Sequence, residues 1–233
     1  MRLPKPTIIT AIMGSLTLAS IAGTTGYLLG RYPALPPVLA VEFRRGVAFQ
    51  FMRKSYGTAL TPVWTQLLLL AVFGSIAAVL LWRAHGIHQE EHDAADAERM
   101  LYAAEAISLL GFVWISFQVM TAIGLTQLWT RFSGGMGRFY NAALLTAIGL
   151  SIVIAIRAKL QFGTLPIRTT EDRGQWRLKK LYFNPSDPAL FVPARKGRGL
   201  TVNFGRPLAI FLILIILVAG LGAPMLLARA FLR

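Results

Sequence analysis

PVWTQLLLLAVFGSIAAVLLW, residues 62–82, contains no Asp, Glu, Lys, Arg or His. The hydrocarbon core of a bilayer is about 30 Å thick, so about 20 apolar residues at 1.5 Å each cross it as a helix. The stretch does not alternate with period two, and it lacks the continuous polar face that a soluble surface helix keeps toward water. It predicts a helix whose solvent is lipid.

Similar stretches lie on either side of it. Residues 8–29, 104–129, 142–156 and 207–227 are apolar blocks, which together with 62–82 predict about five spans. The block 142–156 is short, but Tyr140 and Asn141 before it and Arg157 and Lys159 after it suit the two interfaces. The first block could be read as a signal peptide, since Arg2 and Lys5 precede it and Ser20-Ile21-Ala22 offers small residues. Its apolar character continues through Tyr27-Leu28-Leu29, which is long for a signal sequence, so an uncleaved anchor is expected. The expected fold is mainly α, a polytopic transmembrane helical bundle. Residues 1–160 form spans one to four with an outer loop at 30–60, residues 161–206 a small antiparallel β insert, and residues 207–233 the fifth span.

Composition agrees with lipid as the solvent. The chain is 55% hydrophobic and 15% charged, against roughly 25% charged in soluble domains, and its mean hydropathy is +0.57. The net charge of +14 would suggest nucleic acid in a soluble protein. No nucleic-acid motif accompanies it, and membrane proteins concentrate Lys and Arg in cytoplasmic loops. With the N-terminus inside, the inner side collects fifteen Lys and Arg residues and the outer side nine, which predicts N-terminus in and C-terminus out. The absence of cysteine excludes disulfides and thiol chemistry. GSLTLAS and GGMG lack the setting of a nucleophile elbow, and no phosphate-loop lysine follows a glycine frame, so no catalytic residues are assigned and no cofactor is expected.

Three features within and between the spans carry candidate chemistry. Ser15, Ala19 and Gly23 recur every four residues, a face small enough for another backbone to approach. Gly220, Gly222 and Pro224 are expected to kink or end the last helix. Glu105, the only carboxylate inside a predicted span, shares a helical face with Ser108, Ser116, Thr126 and Gln127. A carboxylate in hydrocarbon is costly, so this face is either a polar path through the bundle or a group held near the cytoplasmic interface; the position of Glu105, one turn inside, favours the second.

The connection RAHGIHQEEHDAADAERM, residues 83–100, holds all three histidines. His85, His88 and His92 would line one side of a continued helix, and His88 and His92 are spaced to share a metal. The run from His88 to His92 lacks the glutamate that zinc proteases place directly after the first histidine. A metal site and a solvated acidic hairpin are the two readings, and the acidic surroundings favour the hairpin.

The insert reads differently. Lys180 to Asn184, Leu190 to Val192 and Leu200 to Phe204 are short aromatic and β-branched runs separated by turn residues, Asn184-Pro185-Ser186-Asp187-Pro188 and Lys196-Gly197-Arg198-Gly199. They predict a three-stranded antiparallel meander, too small to be stable alone and expected to dock on the helices or on a partner. Its basic residues are also placed to meet anionic headgroups.

The run EDRGQWRLKKLYFNPSDPALFVPARKGRGLTVNFGRP, residues 171–207, resembles the signature of a bacterial membrane protein family carrying domain of unknown function 5808. Asp172, Trp176, Tyr182, Asn184, Pro185, Asp187, Pro188, Phe191, Val192, Gly197, Gly199, Thr201, Asn203, Gly205, Arg206 and Pro207 fall in step with it. Leu200 stands where that family has an aromatic. Residues Leu35-Pro36, Phe43, Gly46 and Lys54 are similar to an N-terminal pattern of the Sdp-type toxin-immunity membrane proteins, with Glu42 and Arg44 in place of its histidine and asparagine. The resemblance implies a bacterial inner-membrane protein that meets an envelope peptide and relays its presence to a cytoplasmic protein. A non-enzymatic sensor or immunity-like protein is the function expected, with the lipid bilayer and a protein at the insert as partners. The alternative is a transporter, or an accessory subunit of a membrane complex or oligomer, with a polar path near Glu105.

Overall fold

The computed structural model describes residues 5–44, 47–87, 94–131, 137–163, 176–177, 181–187, 191–193 and 200–217. Four helices in it are long and apolar enough to cross a membrane, at Lys5–Ala34, Thr61–His85, Ala97–Thr130 and Tyr140–Gln161. The chain is a multi-pass helical membrane protein with a small β insert. The elements are α1 (Lys5–Arg31), a 3-10 turn (Tyr32–Ala34), β1 (Val38–Arg44), β2 (Val47–Arg53), α2 (Tyr56–Ala59), α3 (Thr61–Ile87), α4 (Ala94–Arg131) and α5 (Gly137–Gly163). The insert strands β3 (Trp176–Arg177), β4 (Leu181–Tyr182), β5 (Phe191–Pro193) and β6 (Leu200–Val202) follow, then α6 (Pro207–Leu217). The fourth span is longer than its apolar block suggests: α5 continues through Arg157 and Lys159, and the stretch apolar enough to span is Tyr140–Gln161. Of the fifth predicted span, residues 207–217 form α6, and Gly220, Gly222 and Pro224 lie outside the described residues.

The chain divides into two compact units, Met1–Leu81 with Leu101–Leu160, and Trp82–Met100 with Gln161–Arg233. In the first, α1, α3 and α4 alternate in direction around a core of Ile21, Leu28, Val63, Ile115 and Ala122. Gln66 is wholly buried at this junction. Its Nε2 donates to Thr24 Oγ1 at 3.1 Å and to the Ile115 carbonyl at 3.1 Å, tying α3 to both neighbours. Such polar contacts between helices hold where lipid offers no hydrophobic drive. Thr24 passes the connection on by donating to the Ser20 carbonyl at 2.7 Å. Thr10 and Thr126 likewise satisfy their hydroxyls on the preceding turn, at 2.8 Å each.

α3 and α4 approach closely at Gly111, where an added Cβ would lie 2.8 Å from Phe73 Cβ. By contrast, Ser15, Ala19 and Gly23 are exposed, and a Cβ on Gly23 would meet nothing within 4 Å. Within the chain α1 packs through Pro6, Thr10, Thr17, Ile21, Thr24 and Leu28 instead. On α5 the large residues Leu145, Ile152, Val153 and Leu160 are exposed, as lipid-facing residues of a span are.

Residues 30–60, expected as a loop, form an antiparallel hairpin of β1 and β2 with register shifts between Ala40 and Phe43. One face packs on α4 through a cluster of Leu35, Leu39, Ala40, Ala59 and Trp129, with Leu125 and Leu128 against it. Trp129 Nε1 donates to the Ala40 carbonyl at 2.8 Å. Ser55 then caps α2, accepting from the Thr58 amide at 3.1 Å.

In the second unit, the insert strands pair differently from a meander. β3 pairs with β4 and β5 with β6, each antiparallel, and β4 meets β6 through a parallel bridge between Tyr182 and Asn203. The physical reason is the connection after β4. The Asn184 side chain accepts from the Ser186 amide at 3.0 Å and bends the chain locally. Tyr182 and Asn184 are thereby turned toward the segment entering α6, so β4 faces β6.

Candidate functional site

The insert is organised around one side chain. Asn203 is fully buried, and its carboxamide uses all four hydrogen-bonding positions on backbone. Oδ1 accepts from the Asn184 amide at 3.1 Å and from the Gly205 amide at 3.0 Å. Nδ2 donates to the Asn184 carbonyl at 2.9 Å and to the Asp187 carbonyl at 3.2 Å. A second tie comes from Arg206, whose Nε donates to the Asp187 carbonyl at 2.6 Å. The Phe204 amide closes the same junction by donating to the Tyr182 carbonyl at 2.9 Å.

Glycine is required next to this junction. A Cβ on Gly205 would lie 2.5 Å from the Asn184 carbonyl carbon and 2.6 Å from the Pro185 nitrogen, both rigid backbone atoms. Tyr182, 1% exposed, donates its hydroxyl to Asp187 Oδ2 at 2.8 Å. It also meets Trp176 edge to face with ring centroids 5.3 Å apart. Trp176, Tyr182 and Val192 form the small apolar core of the insert.

Trp176, Tyr182, Asn184, Pro185, Asp187, Asn203, Gly205 and Arg206 therefore come together as one clamp between residues 182–187 and 203–206. Pro188 lies outside the described residues, as do Asp172, Gly197 and Gly199; Phe191 takes its place in β5. The clamp delivers the chain directly into α6, which begins with Pro207, the first-turn position where proline needs no amide partner. Tyr182 and Asn203 are buried and Trp176, Asn184, Asp187 and Arg206 half-buried, so other residues make much of the insert's outward face. Leu181 is 39% and Phe183 38% exposed, and Arg177 places its guanidinium 4.7 Å from the Phe183 ring centroid. Alternation of exposed and buried residues across β4 could have marked Leu181 and Phe183 in the sequence.

Glu105 is 2% exposed and forms an ion pair with Arg157 of α5. The guanidinium is half exposed, so the pair reaches from the α4–α5 contact to the surface. The partner, 52 residues away, has no sequence signal beyond its place at the end of the fourth span. Ser108 is half-buried and lines a pocket of about 40 Å³ together with Gly14, Thr17, Phe73, Gly74 and Gly111. Ser116 is half-buried and Gln127 is exposed, so the predicted polar face does not run through the bundle as one buried strip. The buried stripe of α4 is instead Ala104, Gly111, Ile115, Ala122, Thr126 and Trp129, spaced at the helical repeat.

His85 is exposed near the end of α3, while His88 and His92 lie outside the described residues. Among the described residues no three His, Asp or Glu side chains converge on a metal-sized site.

The hairpin end of the first unit forms a second ordered region that the composition of residues 30–60 does not announce. Tyr32 and Tyr56 stack with centroids 4.2 Å apart, and Lys54 Nζ sits 4.8 Å from the Tyr32 ring. The same ammonium donates to the Leu35 carbonyl at 3.0 Å. Comparison with known protein families, with curated proteins and with solved structures finds no match.

Proposed function

We propose that the protein is a non-enzymatic membrane sensor, immunity-like in character, set in the bacterial cytoplasmic membrane with its N-terminus inside and its C-terminus outside. The outer hairpin faces envelope peptide ligands, and the insert binds a cytoplasmic protein. The observation that carries this reading is the division of labour within the insert. Its signature residues hold two segments of backbone together, and they leave Leu181, Phe183 and Arg177 on the outside, an apolar and basic face suited to a protein partner. Chain order supports the same reading: three helices long and apolar enough to span lie between the hairpin and the insert, an odd number, as opposite sides of a membrane require. The bias of Lys and Arg, fifteen against nine, favours the insert on the inside. Arg157 gives Glu105 a reason for burial that needs no transported substrate, which supports a sensor over a carrier.

Affinity capture from native membranes tests this. A chain carrying Leu181→Ser and Arg177→Glu keeps the protease resistance of the insert but loses a cytoplasmic protein that the unaltered chain retains. Identical protein partners captured by both chains contradict the proposal.

A further inference from the structure

We infer that the outward face of the β1–β2 hairpin is a binding surface for anionic phospholipid. The inference does not rest on the sensor reading; with this face in the headgroups, an envelope peptide would meet the hairpin at the membrane surface. Period-two alternation places Phe49, Phe51 and Arg53 on one face of β2, and Val38 is paired opposite Arg53. Val38 is 47%, Phe49 58% and Phe51 53% exposed. The other face of the hairpin is committed to Trp129, Leu125 and Leu128.

Two further observations identify what covers the exposed face. The first is depth. Leu125, Leu128 and Trp129 lie inside the apolar span Ala97–Thr130, so a hairpin packed on them is held at the level of the span's end and not beyond it in water. Tyr32, Tyr56 and Trp129 are gathered at the same level, where aromatic residues of membrane proteins meet the headgroups. The second is charge. Residues 31–54 contain Arg31, Arg44, Arg45, Arg53 and Lys54 against the single acid Glu42. Phe49 and Phe51 beside the exposed Arg53 at headgroup depth, in so basic a stretch, suit the acyl boundary of an anionic leaflet.

The chain has no cysteine, so single labels report without background. Phe51→Cys and, separately, Val38→Cys carry a nitroxide in protein reconstituted into vesicles of phosphatidylglycerol or of phosphatidylcholine. Accessibility to oxygen and to a water-soluble nickel complex reads the depth. Both labels are expected to favour oxygen in phosphatidylglycerol and to shift toward the nickel complex in phosphatidylcholine. Arg44→Gln with Arg45→Gln and Arg53→Gln is expected to abolish that difference. Equal depth in both lipids overturns the preference for anionic headgroups. Aqueous accessibility in both overturns the inference altogether and leaves the face open to a soluble envelope ligand, so the sensor reading survives that result.

Discussion

The carboxamide of Asn203 grips the backbone of Asn184 from both sides, donating to its carbonyl at 2.9 Å and accepting from its amide at 3.1 Å. This relationship replaces the ladder that the insert's strands are too short to supply: β3 and β4 have two residues each, and β5 and β6 three. It also gives Asn203, Asn184 and Arg206 a structural role in the insert.

Asn203→Ala strips four backbone groups of their partner in a fully buried site, and each buried hydrogen bond left unmade costs about 1–3 kcal/mol. Gly205→Ala forces a Cβ into the backbone of Asn184 and Pro185. Both variants are expected to open the insert, so that limited trypsin digestion in detergent cuts after Arg177, Lys179 and Lys180 first, while α3 to α5 stay protected. Asn184→Ala, which keeps its own backbone bonds to Asn203, is expected to have a smaller effect. Unchanged digestion in all three contradicts the clamp.

The Glu105–Arg157 pair is asymmetric, because the carboxylate is almost wholly buried and the guanidinium is half exposed. Arg157→Ala leaves an uncompensated buried charge and is expected to destabilise by about 3–5 kcal/mol. Glu105→Gln releases Arg157 to water and is expected to cost about 1 kcal/mol or less. The double variant should recover most of the loss. Thermal unfolding in detergent orders the three, and equal effects of the two single changes argue against the burial difference.

At the α3–α4 crossing, Gly111→Ala is expected to destabilise by about 1–3 kcal/mol, since overpacking a close contact forces the backbones apart. Phe73→Leu should not rescue it, because the nearest atom is Phe73 Cβ, which leucine keeps. Gly14→Ala, whose Cβ meets nothing within 4 Å, serves as the neutral comparison in the same unfolding assay.

The spans were legible because their cause is local: a stretch such as residues 62–82 has no charge to place in water. The turn residues of the insert were legible for the same reason, since Asn184 accepts from the Ser186 amide two residues on and Pro185 fixes its own backbone angle. Pairing was not. The parallel bridge from Tyr182 to Asn203 depends on a carboxamide reaching across 19 residues, and sequence alternation assigns no partner. The β1–β2 hairpin was hidden by its register shifts, which break the alternation between Ala40 and Phe43. Its attachment, Trp129 to Ala40 across 89 residues, is a tertiary contact with no local signal. Likewise, Glu105 was recognisable as an unusual carboxylate, and only packing of α5 on α4 names Arg157 as its partner.

We propose that the hairpin and the insert face opposite sides of the membrane, and site-directed labelling tests this directly. Ala34→Cys and Ser186→Cys, both at exposed positions of an otherwise cysteine-free chain, can be probed on intact cells with a membrane-impermeant maleimide. The expected result is labelling at position 34 without treatment and at position 186 only after permeabilisation. Labelling of both positions from the same side contradicts the account.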